Sequence, residues 1–525
     1  MKKNIKILLI IELLVIFLLS ANASSVKIIE KNKIEEQKSF IEISEENEIP
    51  LSSEFEDIDP LIDLNITITI KEIRAFDKID FIGKPDLYVK LIVNNQTVKS
   101  PTWRNKRFIN ESWSQTFDVP DDMENVSIKI QLWEDDLFKD KICDLSENDG
   151  YFRACYDIDL VYNLKTAHWY GDDFISSSFW SDSSGYGRVN GCDDNSIYQI
   201  DRDCELWFEI TQNDYDGDGI PYWAEVNVFG TDPSINNIGM DDDLDGVPIE
   251  WEFKWGYRLS YDWYNHTIGH KWIYDPFKYE DHSNLDPDSD GLNNVEEYLT
   301  SQWGSDPFRK DIYIELDQME AGSNGEPASL LPNGSKDLLR DAFDKHNIVL
   351  HIDDGSMGGG EMIPFDKDIT QNNGKLQDIY KNYFLHGDNN NWRRGIFHYG
   401  IVVYDANYSG YVFGVENDSY FGAFQISSSR VNKKVFVNTP RRRSVTYASV
   451  YMHELGHTLD INIPGGHDTS SQAPWQIGWW KWRPYKSCMN YGYTYFLVDY
   501  SDGSRGKNDH DDWSNLDLTY FQIGV

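Results

Sequence analysis

His453-Glu454-Leu455-Gly456-His457 places two imidazoles four residues apart, and the stretch before it, Ser444 to Met452, contains neither Pro nor Gly. Run as one helix, that spacing brings both rings to one face, where they can hold a metal ion. Glu454 lies beside them, where a carboxylate can take a proton from a water on that ion. The chemistry this predicts is metal-assisted hydrolysis.

A second set of ligand types repeats in register. Asp214, Asp216 and Asp218 are followed by Gly219, Ile220 and Glu225; Asp241, Asp243 and Asp245 by Gly246, Val247 and Glu252; Asp286, Asp288 and Asp290 by Gly291, Leu292 and Glu297. Each run has carboxylates at loop positions one, three and five, Gly at six, a backbone carbonyl at seven (Ile220, Val247, Leu292) and Glu at twelve. That is the ligand order of an EF-hand calcium loop, so about three structural Ca2+ are expected. With Gly230-Thr231-Asp232-Pro233 and Gly304-Ser305-Asp306-Pro307 behind the first and third loops, the stretch resembles the thrombospondin type-three and related EF-hand-like repeats of exported proteins. Such repeats hold too few apolar residues to fold alone, and bound calcium is expected to supply their order.

The whole chain sets the frame for both. Its 525 residues carry a formal charge of −40, which excludes nucleic acid as a partner, since phosphate neutralisation needs clustered Lys and Arg. Aromatic residues make up 14% of the chain, too many for a disordered acidic tail. Residues 1–23 have a charged start, an apolar run from Ile7 to Leu19 and an Ala21-Asn22-Ala23 exit, the parts of a secretory signal. A secreted or cell-surface protein is expected, with an uncleaved membrane anchor as the alternative. Residues 24–60 are acidic and read as a linker or pro-segment. Cys143 and Cys155 are twelve apart, as are Cys192 and Cys204; two local disulfides are the simplest pairing, with Cys488 left over.

From Leu64 the period changes to two, and Leu64–Ile70, Leu87–Val93 and Val126–Leu132 read as strands of an antiparallel sandwich over residues 61–211. Acids gather at its loop ends. The run Asp80-Phe81-Ile82-Gly83-Lys84-Pro85-Asp86-Leu87-Tyr88-Val89 resembles the first calcium loop of C2 domains, the calcium- and phospholipid-binding sandwiches, and Trp133-Glu134-Asp135-Asp136 resembles the third. The resemblance implies Asp80, Asp86, Glu134 and Asp136 as calcium ligands and membrane contact through the sandwich. Glu134 stands where that family has Asp.

Residues 212–307 hold the calcium loops, and residues 308–525 form the domain of the His pair. There Asp311–Leu316, Ile348–Ile352, Phe397–Val403 and Lys434–Val437 read as strands and Lys336–Phe343 as a helix, an α+β order with a mixed sheet. The expected fold is multidomain: all-β sandwich, calcium-loop repeats, then the α+β domain. Downstream lies Ser487-Cys488-Met489-Asn490-Tyr491. A His-Glu-x-x-His helix followed by a Ser-x-Met-x-Tyr turn resembles the metzincin zinc peptidases. The resemblance implies one catalytic Zn2+ on His453 and His457, Glu454 as general base, Met489 as the turn methionine and Tyr491 as a tyrosine that ligates zinc or stabilises the oxyanion. Metzincins continue with Gly three residues past the second His and a third ligand three residues later; here those positions are Asp460 and Ile463. Isoleucine cannot bind zinc, and a catalytic zinc needs three protein ligands. His467 is the preferred third ligand, Asp468 the next, with Asp460 and an outside group as remaining alternatives.

The expected function is a secreted zinc-dependent endopeptidase acting on protein or peptide substrates, with calcium-stabilised accessory domains. The alternative is a calcium-dependent extracellular adhesion or scaffold protein with a degenerate peptidase domain.

Overall fold

The computed structural model describes residues 57–522, apart from 77, 81–82, 137–138, 147–148, 151–152, 155, 173–186, 192–201, 263–266, 415–421 and 462–472. The expected signal sequence and most of the acidic linker lie outside the described residues. No helix among the described residues is long and apolar enough to cross a membrane.

Strands β1 (Asn65–Ala75), β2 (Leu87–Val93), β3 (Asn125–Glu134) and β4 (Cys204–Gln212) frame the N-terminal sandwich. Ile66, Ile68 and Ile70 of β1 are buried while the threonines between them are half-buried, the pleat of a strand with one face on a core. β1 pairs antiparallel with β4, Ile66 opposite Gln212 and Ala75 opposite Cys204. The last strand therefore closes on the first. β2 and β3 pair in the second sheet, Leu87 opposite Glu134 and Val93 opposite Ile128, and the two inner faces form one apolar cluster. Cys143 and Cys204 are both buried there. Cys155 and Cys192 lie outside the described residues, and no disulfide forms among the described ones.

Each acidic loop runs into a short helix. The first leads into Tyr222–Ala224 and a wider turn over Glu225–Phe229, the second into α1 (Ile249–Gly256), the third into α2 (Asn294–Thr300). Among the described residues no α-helix directly abuts the start of a loop, so these are loop–helix units rather than helix–loop–helix pairs. Their own apolar cluster is small, Ile220, Ala224, Ile249 and Phe253. Val247, Trp251, Trp255 and Tyr274 instead join the sandwich core.

The C-terminal domain is built on β5 (Asp311–Met319), α3 (Asn333–Asp344), β6 (Val349–Asp353), β7 (Phe397–Val403), β8 (Gly410–Val412), β9 (Ala423–Ser427) and α4 (Pro440–Thr458). The sheet order is β6-β5-β7-β9-β8, parallel except for β8, which runs antiparallel along β9. All seven residues of β7 are buried, as expected of a parallel strand covered on both faces. α3 and α4 cover one face and pack on each other.

The expected strand at Lys434–Val437 is a correction. Lys434 ends a helix, Ser428–Lys434, and Val435, Phe436 and Val437 form the link to α4, with Phe436 89% exposed. Three β-prone residues do not make a strand without a neighbour to pair with, and β8 already occupies that edge of the sheet. The strand that completes the sheet is β9, between β7 and β8, which is not among the strands expected from the sequence.

Buried cations join sandwich and C-terminal domain. Arg74, 3% exposed, meets Glu72 at 2.6 Å, Asp344 at 3.3 Å and Asp341 at 3.4 Å. Arg188 pairs with Glu205 and donates to Asn347.

Candidate metal centres

Helix α4 is started by Thr439, whose hydroxyl accepts from the Arg442 amide, and by Pro440 in its first turn, both placements that favour helix initiation. Its second half is buried, with His453 4% and Glu454 6% exposed. One donor atom each from His453, Glu454 and His457 lies within 4.8 Å of the others. The two imidazole centroids are 5.1 Å apart at 87°.

The turn downstream sets the chemistry of the first ring. His453 Nδ1 donates to the Cys488 carbonyl at 2.8 Å, which fixes the tautomer and leaves the Nε2 lone pair for a metal. The same carbonyl accepts from Thr494 Oγ1 at 2.7 Å. Met489 is buried, and a Cβ placed on Gly456 would come within 2.7 Å of its Sδ, so glycine lets the helix and the turn touch. Tyr500 donates to the Met452 carbonyl at 2.7 Å and holds the next stretch on α4. Tyr491 stacks on His453, centroids 5.7 Å apart at 22°.

Glu454 faces strand β8, where a Cβ on Gly410 would collide with the carboxylate. Burial pushes its carboxyl up to about 8; a nearby dication acts in the opposite direction. A fixed tautomer, convergent donors and a buried carboxylate with no countercharge among the described residues fit a small divalent ion. Of the candidate third ligands, His467 and Asp468 lie outside the described residues. Asp460 turns the chain off the helix in the left-handed region, φ 57°, with its side chain exposed, and it is not in the cluster.

The three acidic loops share one geometry. In each, the three aspartates bring an oxygen within 4.8 Å of the others. The position-six glycine has positive φ, +86° at Gly219, +102° at Gly246 and +99° at Gly291, the conformation only glycine adopts cheaply. Its amide donates to the position-one carboxylate: Gly219 to Asp214 at 2.9 Å, Gly246 to Asp241 and Gly291 to Asp286 at 3.1 Å. Ile220, Val247 and Leu292 bury their side chains.

The position-twelve glutamates are buried, Glu225 0%, Glu252 1% and Glu297 1% exposed. Among the described residues, Glu225 Oε2, Glu252 Oε1 and both oxygens of Glu297 have no hydrogen-bond partner. Burial, then neighbouring aspartates, push Glu225 up to about 8, Glu252 to about 9 and Glu297 well above the usual range. A buried carboxylate without a partner is costly as an anion; a cation with oxygen ligands removes the cost, and these loops fit one.

At the sandwich tip Asp80, Asp86, Glu134 and Asp136 do converge, but protein groups already hold most of them. Arg104 meets Asp86 at 2.8 Å and Asp135 at 3.2 Å, and Lys141 meets Asp136 at 2.6 Å. Glu134 accepts from the Asp86 amide at 3.1 Å, while burial first and then Asp80 and Asp86 raise it to about 7.

A further charged cluster, not visible in the sequence, lies where Glu315 of β5 stands beside Asp353 at the end of β6. Arg393 holds Glu315 at 2.5 Å and Asp353 at 2.6 Å, and Tyr399 donates to Asp317 at 2.6 Å. No spacing rule joins residues so far apart in the chain.

A C2 domain model matches residues 64–147, so the N-terminal sandwich contains a C2 domain. Among solved structures, the chain is similar to a C2 domain at 12% identity, covering 29% of this chain and 98% of that one, TM-score 0.17. Human GIVD cytosolic phospholipase A2, in complex with methyl gamma-linolenyl fluorophosphonate, gives 13% identity, 29% of this chain and 17% of that one, TM-score 0.17. A C2 domain of plant Extended Synaptotagmin 1 gives 10% identity, 28% and 94% coverage, TM-score 0.17. A comparison with curated proteins gives no match.

Proposed function

We propose that the chain is a zinc-dependent endopeptidase whose repeats are held in shape by calcium. The observation that carries this reading is the meeting of His453, Glu454 and His457 on one helix with the Cys488 carbonyl fixing the first imidazole. Zinc in that position supplies Lewis acidity, lowering the pKa of a water to about 7 and polarising a peptide carbonyl. Glu454 accepts the proton from the attacking water and returns it to the leaving amine nitrogen, so the carboxyl ends the cycle as it began. Tyr491, beside His453, is placed to donate to the oxygen that gains charge. Strand β8 ends its sheet, and an extended peptide can pair with such an edge by adding a strand. That pairing would draw a scissile bond past Glu454, which packs on Gly410. His467 remains our choice for the third protein ligand, with Asp468 next.

The test is Glu454→Gln. It should retain zinc and lose peptide cleavage by at least about a hundredfold, the lower range for a positioned acid–base group. Full residual cleavage would remove Glu454 from this role. A zinc-free and inert wild-type chain would favour an extracellular adhesion or scaffold protein. We further propose export to the cell surface or medium, with membrane contact through the C2 sandwich as a weaker attribute because Arg104 and Lys141 occupy its acids.

A further inference from the structure

The three loops differ at one point. In each, the position-five aspartate accepts a backbone amide from a later stretch of chain: Asp218 from Asn237 at 3.1 Å, Asp245 from Glu280 at 3.2 Å, Asp290 from Asp311 at 2.6 Å. Two residues beyond those donors stand Gly239, His282 and Tyr313. Glycine offers nothing, and the Tyr313 hydroxyl is engaged by Ser305 at 2.7 Å. At loop two the residue is a histidine.

His282 is fully buried, packed edge-on against Trp251 and Tyr274 with ring centroids 5.9 Å and 5.1 Å away. Its Nε2 has no hydrogen-bond partner among the described residues and points into the loop, 3.3 Å from Asp245 Oδ2 and 3.9 Å from Glu252 Oε1. Glu280 Oε2 is 4.0 Å away. Two ligands each ~2.1 Å from a shared ion are ~3.0 Å apart at a right angle and ~4.2 Å apart when opposite, so both separations suit an ion between them. On the far side, the Asn294 amide meets His282 Nδ1 at 2.8 Å. Amide oxygen and nitrogen are isosteric, and with the oxygen on that side Asn294 accepts Nδ1–H, which frees the Nε2 lone pair. Asn294 Oδ1, as oriented, is buried without a partner among the described residues.

We propose that loop two holds a divalent transition-metal ion with His282 Nε2 as a nitrogen ligand beside Asp245 and Glu252, whereas loops one and three, with oxygen ligands alone, hold calcium. This rests on the reading above that the loops bind cations. Imidazole favours transition ions, and carboxylate and carbonyl sets favour calcium. The sites would therefore sort two kinds of ion within one stretch of chain.

The experiment uses the full chain carrying His453→Ala and His457→Ala, so that the α4 site takes no probe. Mn2+ is added in the presence of excess calcium, and bound Mn2+ is examined by pulsed electron paramagnetic resonance. The expected result is one retained Mn2+ per chain with hyperfine coupling to a directly bound nitrogen. His282→Gln should abolish that coupling and weaken Mn2+ by at least about tenfold, the lower end of what losing even an outer-sphere partner costs, while calcium stays bound. Retained Mn2+ with no nitrogen coupling, or displacement of all Mn2+ by calcium, overturns the proposal and leaves the calcium reading of the loops intact. If neither calcium nor Mn2+ binds, that reading fails and this one with it. The coupling in the chain with His282 intact decides even if His282→Gln does not fold.

Discussion

Carboxylates crowd two regions of this chain, and their surroundings are opposite. At the sandwich tip Arg104 and Lys141 lie on Asp86, Asp135 and Asp136, so protein cations already offset those charges. In the three repeats the position-twelve glutamates are buried with oxygens to which nothing among the described residues donates, and their carboxyls are pushed far up. An acid count does not distinguish the two; a buried acid with no protein countercharge does.

Removing calcium is the largest way to probe this contrast. Each site that binds only the folded chain contributes about 4 kcal/mol when its ion is present at about a thousand times its Kd, so chelation should lower the unfolding temperature strongly. The pH profile should change with it. Glu225 and Glu252 move from the ordinary 4.5 to about 8 and about 9 in the chain without ions. Between those values the folded form binds more protons than the unfolded one, so stability falls as pH rises. Bound cations, which take the ionised form, should flatten or reverse that slope. Melting curves from pH 5 to 9, with and without chelator, read it directly; identical slopes would break the contrast.

Paired substitutions come next. Glu297→Gln should cost the chain one calcium ion and weaken loop three by at least about tenfold, taking the outer-sphere range as a floor. Asp86→Asn should leave the calcium count in the repeats unchanged. Isothermal titration of both variants separates them, and equal losses would erase the distinction drawn between the regions.

The smallest effect belongs to Arg104, which is 66% exposed. Arg104→Gln should shift stability by no more than about 1 kcal/mol, as exposed ion pairs do, yet uncover Asp86 and Asp135 and raise calcium affinity at the tip. No gain in calcium binding would mean that Arg104 is not what blocks the tip.

How far these regions were legible follows from sequence distance. Motifs complete within a dozen residues, such as Asp286 to Glu297, and strict alternation such as Ile66-Thr67-Ile68 are local; the alternation lies in a strand as expected, and the loop brings its three aspartates together. The His453–His457 pair is local too. What depends on distant chain was not legible: Arg104 covering Asp86, the Cys488 carbonyl fixing His453, and His282 reaching loop two from thirty residues past Glu252. Lys434–Val437 failed for the same reason, because a β-prone tripeptide carries no information about whether a partner edge is free.

Whether α4 holds a hydrolytic zinc can be read from X-ray absorption at the zinc edge of the chain as purified. One zinc per chain is expected, with two imidazole nitrogens at about 2.0–2.1 Å, a third protein ligand and an oxygen from water. His453→Ala should remove an imidazole from that shell. A chain that retains no zinc, or zinc in a shell of oxygens alone, would contradict the assignment of α4 as a peptidase helix.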